Sequence, residues 1–118
     1  MGQIIPPSGG YKEKLATTGT TTNSYATARD IDMRGMESGV CTIENTGGTN
    51  SMDYKVVGEY ADYSEGESNE IVSETAITAG NKDFFQLENA YARILVQVKS
   101  TSSGNHTTYS IDDFQNRL

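Results

Sequence analysis

The sequence predicts an all-β fold, an antiparallel β-sandwich of six to seven strands, Ig-like or jelly-roll-like, with an extended N-terminal arm. Three observations lead there. Short runs of alternating apolar and polar residues recur along the chain. Clusters of Gly, Asn and Ser separate them at roughly ten-residue spacing. No window carries the period of about 3.6 residues that marks an amphipathic helix. A small barrel is the other architecture that such a pattern allows. At 118 residues the chain fits one domain with its own core.

Residues 1–24 differ from the rest. Pro6-Pro7 favours an extended conformation, Gly9-Gly10 is permissive, and "ATTGTTTNS" (16–24) has no periodic apolar face. The segment reads as an arm that orders against a neighbouring subunit, with Ile4, Ile5 and Leu15 as its anchors. Burial of each isoleucine would contribute roughly 1.5–3 kcal/mol. Ordering each backbone residue costs about 1–2 kcal/mol. An isolated arm is therefore expected to stay unattached, and a sandwich over 25–118 to fold without it.

From Tyr25 the texture changes. "YATARDIDMRG" places Arg29, Ile31 and Met33 on one side and Ala28 and Asp30 on the other. "GVCTIEN" is β-favouring, and "SMDYKVV" sets Met52, Tyr54 and Val56 opposite Asp53 and Lys55. With the Gly/Asn-rich turn between them, these two runs read as one hairpin. Val56-Val57 before Gly58 breaks the alternation as a bulge would. Ile71 to Ile77 forms the next run, "AGNK" a turn, and Phe85 and Leu87 share the face after it. The clearest pattern is "ARILVQVKSTSSGNHTTYSIDDF" (92–114), in which Ile94, Val96 and Val98 alternate with Arg93, Gln97 and Lys99. With Tyr109 and Ile111 beyond a loop containing Gly104, it reads as a central hairpin.

Composition narrows the function. The apolar fraction is 35%, below the roughly 45–50% common in globular domains. The formal charge is −7, and no basic stripe is present to displace counterions from phosphates, so nucleic acid is excluded as a partner. No segment approaches the roughly 18 apolar residues of a membrane span. "MGQIIPPSGG" lacks the charged start and apolar run of a signal peptide, so assembly in the cytoplasm is expected. Cys41 is the single cysteine and sits in an apolar run, as a small buried hydrophobe would.

No constellation for catalysis emerges. His106 is the only histidine, no nucleophile motif surrounds it, and one Cys with one His cannot make a zinc site without several carboxylates. The acidic stretch 59–74 fails as a calcium loop: counted from Asp62, the glycine and the final glutamate fall out of place, and Ser73 stands where the latter belongs. It reads as a solvated loop, and Asp112-Asp113 as a solvated strand end. The chain is expected to be no enzyme and to need no cofactor or metal. Tyr60 and Tyr63 beside the acidic loop suit either a sugar-stacking platform or an interface.

The N-T-G turn and "DYKV" strand of "IENTGGTNSMDYKVVGEYADY", and the "RI-V-VKS" and "HTTY" strands later on, give residues 25–113 an order that resembles the small β-sandwich virion proteins of tailed bacteriophages. The resemblance implies a structural component of the particle, a decoration (cement) protein on the capsid exterior, with capsid or other virion proteins as partners and a homo-oligomeric state. It carries over no catalytic residue. A carbohydrate- or receptor-binding module using Tyr60, Tyr63 and loop amides is the alternative.

Overall fold

The computed structural model describes residues 11–60 and 68–117. These contain β1 (Tyr11–Thr20), β2 (Ala26–Asp32), β3 (Met36–Asn45), β4 (Met52–Glu59), β5 (Ser68–Ile77), β6 (Lys82–Glu88), β7 (Arg93–Ser100) and β8 (Thr108–Arg117). They form two four-stranded sheets, ordered β1-β8-β3-β6 and β2-β7-β4-β5, with antiparallel pairing throughout. Strands β2 to β8 turn most of their apolar residues toward the opposite sheet. Ile43, Met52, Val56, Ile94, Val96 and Ile111 lose all their exposed surface there, each contributing roughly 1.5–3 kcal/mol by transfer from water.

Apart from β4 and β5, consecutive strands lie in opposite sheets. This order is the eight-stranded jelly roll, one of the two sandwich types expected. It also corrects both expected hairpins. β3 and β4 belong to different sheets, as do β7 and β8, so the turns at 46–51 and 101–107 arch over the end of the sandwich. Alternation fixes which face of a strand is buried and is silent about its neighbour. A loop of six or seven residues can either fold back or cross. The bulge expected near Val57 is present, as register shifts against β5 between Tyr54 and Val56 and between Val56 and Val57.

Among the described residues there are eight strands rather than six or seven, because residues 11–20, read as arm, are β1. They pair with β8, Tyr11 opposite Asn116 and Thr20 opposite Thr108. The Thr-rich tract lacks alternation because β1 is an edge strand with a register shift between Lys14 and Thr17. β-branched threonine still favours the extended backbone. Two further expectations fail. β8 runs on to Arg117, and Asp113 is buried inside the sandwich. Glu59 of the acidic stretch is buried as well, while Glu70 and Glu74 lie in β5.

Asp113 is explained by Arg29. The guanidinium, on β2 of one sheet, crosses the interior to bond the Asp113 carboxylate and the Ile111 carbonyl of β8, and reaches Thr17 Oγ1 of β1 at 2.8 Å. Both charged side chains are 1% exposed. Gln115, two residues on, donates to the Asp32 carbonyl at 3.1 Å. Breaking a buried pair from one side leaves a charge without compensation. Arg29→Met is therefore expected to cost about 3–5 kcal/mol in urea unfolding. The double variant Arg29→Met/Asp113→Leu should recover most of that loss, and a double variant no better than the single would contradict it.

Candidate functional site

The end of the sandwich formed by the four arching loops is a polar cluster built on Asn45, which has no exposed surface. Its Nδ2 donates to the carbonyls of Asn50 and Ile77, both at 2.9 Å. Its Oδ1 accepts from Gly47 N at 3.0 Å and Thr107 Oγ1 at 2.8 Å. The amide thus uses its full hydrogen-bonding capacity. A second chain of bonds adjoins it. Thr107 N donates to Thr21 Oγ1 at 2.9 Å, Thr21 Oγ1 lies 2.8 Å from Ser100 Oγ, and Ser100 Oγ lies 2.7 Å from His106 Nδ1. A chain in which Thr21 donates to Ser100 and Ser100 to His106 ends with Nδ1 as acceptor and the ring proton on Nε2.

A cleft of about 260 Å³ opens beside this cluster, lined by Thr20, the 47–50 turn and His106 to Thr108. Ser100 and His106 make a serine–histidine contact, but Ser100 is 1% exposed and its hydroxyl is held by Thr21. A substrate could not reach that oxygen. The contact is a structural bond across the β7–β8 arch. Among the described residues no group of three His, Cys, Asp or Glu side chains is placed to hold a metal ion.

The opposite end carries the aromatic pair. Tyr60, 53% exposed, has its ring centroid 5.4 Å from that of Tyr91, the planes tilted by 32°. Tyr91 lies flat against Gly58, where a Cβ would stand 2.4 Å from the ring, and its hydroxyl accepts from Asn69 Nδ2 at 2.9 Å. Glycine is required at 58 for that approach. Arg93 sits close by, bonded to Asp30 and 3.6 Å from the buried Glu59.

The two outer faces of the sandwich differ. On the β2-β7-β4-β5 sheet, Lys99 lies 3.5 Å from Asp53, Lys55 stands 4.4 Å over the Tyr25 ring, and Tyr25 donates to Glu74 at 2.5 Å. Burial and that carboxylate push the Tyr25 phenol up. The β1-β8-β3-β6 sheet instead presents Val40, Phe84 and Phe114, which are 37%, 68% and 37% exposed. Phe114 is opposite Val40, and Phe84 is opposite Thr42, the next outward residue of β3. The three form a diagonal apolar band across three strands.

Of the residues singled out from sequence, Tyr60 is placed as exposed and is joined by Tyr91. Ile4, Ile5 and Tyr63 lie outside the described residues. Leu15 falls in β1, within the register shift between Lys14 and Thr17. Val40 and Phe84 were missed, and Phe114, in the tail whose apolar residues could pack on the sheet or on a neighbour, faces outward. A signal existed in each strand: an apolar residue at a position whose parity is outward.

No protein-family model matches the sequence, and a search of curated proteins finds no match. Among solved structures the chain is similar to PirA, with a TM-score of 0.59 and 12% identity over 83% of this chain and 92% of that one. It is similar to a protein of the Bacillus endospore appendages, a family of disulfide-linked pili, with a TM-score of 0.56 and 8% identity over 98% and 97% of the two chains. The SPBc2 prophage-derived protein YomS has a TM-score of 0.51 and 11% identity over 95% and 99%. The class these likenesses define is the jelly-roll β-sandwich. A pilus protein and a prophage-derived protein share that fold with this chain, and at such identities the fold is all they establish.

Asn45→Asp keeps both accepted bonds and loses both donated ones, turning a carboxylate toward two carbonyls. It should cost at least about 2 kcal/mol in denaturant unfolding, and a loss under about 0.5 kcal/mol would remove Asn45 as the centre of the cluster. Cys41 supplies a second check. Burial, and then the Asp113 carboxylate, push its thiol up to about 12. Native protein should resist a thiol reagent at pH 8 and react only as denaturant unfolds it. Rapid labelling of folded protein would place the thiol elsewhere.

Proposed function

We propose that the chain is a non-enzymatic structural protein of a virus particle, a decoration protein that binds capsid or other virion proteins. One observation carries the reading. The Ser100 and His106 groups are consumed in bonds within the fold, while Val40, Phe84 and Phe114 stand outward on one sheet. Exposed apolar side chains grouped on one face are what a binding protein presents. The resemblance of residues 25–113 to phage virion proteins and the fold shared with a pilus protein support the same reading. The disulfide linkage of that pilus does not carry over, because Cys41, the single cysteine, is fully buried. In this proposal Ile4 and Ile5 anchor the segment ahead of β1 on the particle, and the protein assembles with the virion in the host cytoplasm.

A second reading, a carbohydrate- or receptor-binding module, is favoured by one feature: the exposed Tyr60 ring supported by Tyr91. Stacking on such a pair is how an aromatic platform takes a sugar ring. A glycan array with wild type and Tyr60→Ala separates the two readings.

Mass spectrometry of purified virions from the phage concerned should find the chain, and its absence would end the decoration reading. For the isolated protein, deleting residues 1–10 is expected to leave the thermal midpoint within about 2 °C and to lower particle binding at least about tenfold. Phe114→Ser should lower it similarly. Deleting 1–20 is a different experiment, because it strips β1 from β8 and should lower the midpoint by several degrees. Unchanged binding by both the 1–10 deletion and Phe114→Ser would refute the anchoring.

A further inference from the structure

Four strands border the two sheets: β1 and β6 in one, β2 and β5 in the other. An open edge is a row of unpaired N–H and C=O groups, and bulges are a common device for breaking that row. β1, β2 and β5 each have a register shift against the inner neighbour, at Lys14/Thr17, Thr27/Arg29 and Tyr54/Val56 respectively. β6 has none. Its seven residues pair without interruption from Ser38↔Glu88 to Glu44↔Lys82. It also carries Phe84, at 68% the most exposed large apolar side chain among the described residues. The Phe84 N–H bonds the adjacent Asp83 carboxylate at 2.9 Å, so it points away from β3. By the two-residue period of a strand, the N–H groups of Gln86 and Glu88 point the same way.

We infer that two copies of the chain associate through β6, antiparallel about a two-fold axis at Phe85, so that their β1-β8-β3-β6 sheets become one continuous sheet. Charge selects this register. The outward side chains of β6 are Lys82, Phe84, Gln86 and Glu88. With the axis at Phe85, Lys82 stands opposite the second copy's Glu88 and Glu88 opposite its Lys82, which closes both ends of the seam with opposite charges. Moving the axis to Phe84 sets Lys82 against Gln86, and moving it to Gln86 sets Glu88 against Phe84. At a formal charge of −7, two copies repel at long range, so a seam without local complementarity would not form.

The same register places the two Phe84 rings diagonally across the seam, about 7–8 Å apart by backbone position and within reach of aromatic side chains. Each ring continues the band of Val40 and Phe114 in its own chain. On pairing, the Phe84 N–H exchanges Asp83 for the carbonyl of the second copy's Gln86. A seam of this length is at the small end of interface sizes, so the dimer is concentration-dependent. This inference stands apart from particle binding, because it needs only the chain itself.

Sedimentation velocity of the full chain from about 10 μM to about 1 mM at low salt should show a monomer–dimer equilibrium. Gln86→Pro removes an N–H that β3 does not use and should give a monomer throughout this range, with an unchanged denaturation midpoint. Lys82→Glu should weaken the dimer about tenfold, by creating two like-charge pairs. Lys82→Glu/Glu88→Lys restores both pairs in reversed sense and should return the affinity to within about threefold of wild type. A wild type that stays monomeric at about 1 mM overturns the inference, as does a dimer that survives both Gln86→Pro and Lys82→Glu. Failure of the double swap to restore association overturns the register.

Discussion

The interior of this sandwich is organised around a charge pair that joins its two sheets. Arg29 and Asp113 give up water almost completely. The gain from such a pair is largely offset by the desolvation of both groups, so its contribution to stability is small beside its cost if broken. What it supplies is register. A one-residue slip of β8 would turn Asp113 outward and put Phe114 or Asp112, according to its direction, in its place, breaking the bonds to Arg29 as they are now made. The irregularities of the neighbouring strands serve the same bond. Ala28 is the extra residue of the shift in β2, immediately before Arg29, and the shift in β1 ends at Thr17, whose hydroxyl accepts from Arg29. The breaks that blunt two sheet edges therefore also aim the groups that meet in the middle.

At the loop end the constraint is of another kind. In a jelly roll nearly every connection crosses between sheets, and isolated main-chain bonds such as Thr21 N to the Thr107 carbonyl and Gly80 N to the Asn45 carbonyl tie those loops together. Side chains add a second set of ties. Thr21 follows β1, Asn45 ends β3, Ile77 ends β5, and Ser100 and Thr107 bracket the last arch, and bonds among them join all four loops. Every member is buried, and each is paired. A partly satisfied version would be worse than an apolar one, which is why the cluster is compact around one amide.

The alternation of apolar residues made the inward faces legible. Met52, Tyr54 and Val56, then Ile94, Val96 and Val98, then Ile111, are buried as their spacing requires. It also exposed the turns at Gly80 and Gly104, whose φ values of 79° and 81° are positive. Strand partners were not legible, because parity says which way a side chain points and nothing about which strand lies beside it. β1 escaped notice because an edge strand with a bulge has no apolar period to read. Arg29 and Asp113 are separated by 84 positions, and each looks like a surface residue until the other is in place. The candidate interface was less legible still. Tyr60 stood out by its neighbours in sequence, whereas Val40, Phe84 and Phe114 come from three strands and become one band only after β3, β6 and β8 are aligned.

The remaining asymmetry concerns the outside. On the β2-β7-β4-β5 sheet the charges are matched within the face: Asp53 with Lys99, Asp30 with Arg93, and Lys55 over the Tyr25 ring. Such a face is content in water, and covering it would require each pair to be desolvated again. Among the described residues the face of β1-β8-β3-β6 instead groups Val40, Phe84 and Phe114, with Asp112 and Lys82 beside them, so covering this band removes apolar surface from water. The regular edge of β6 borders this second face, and Phe84 belongs to both the edge and the face. Edge and face therefore direct association to the same side of the molecule, and the strand that the chain leaves unbroken is the one where the two meet.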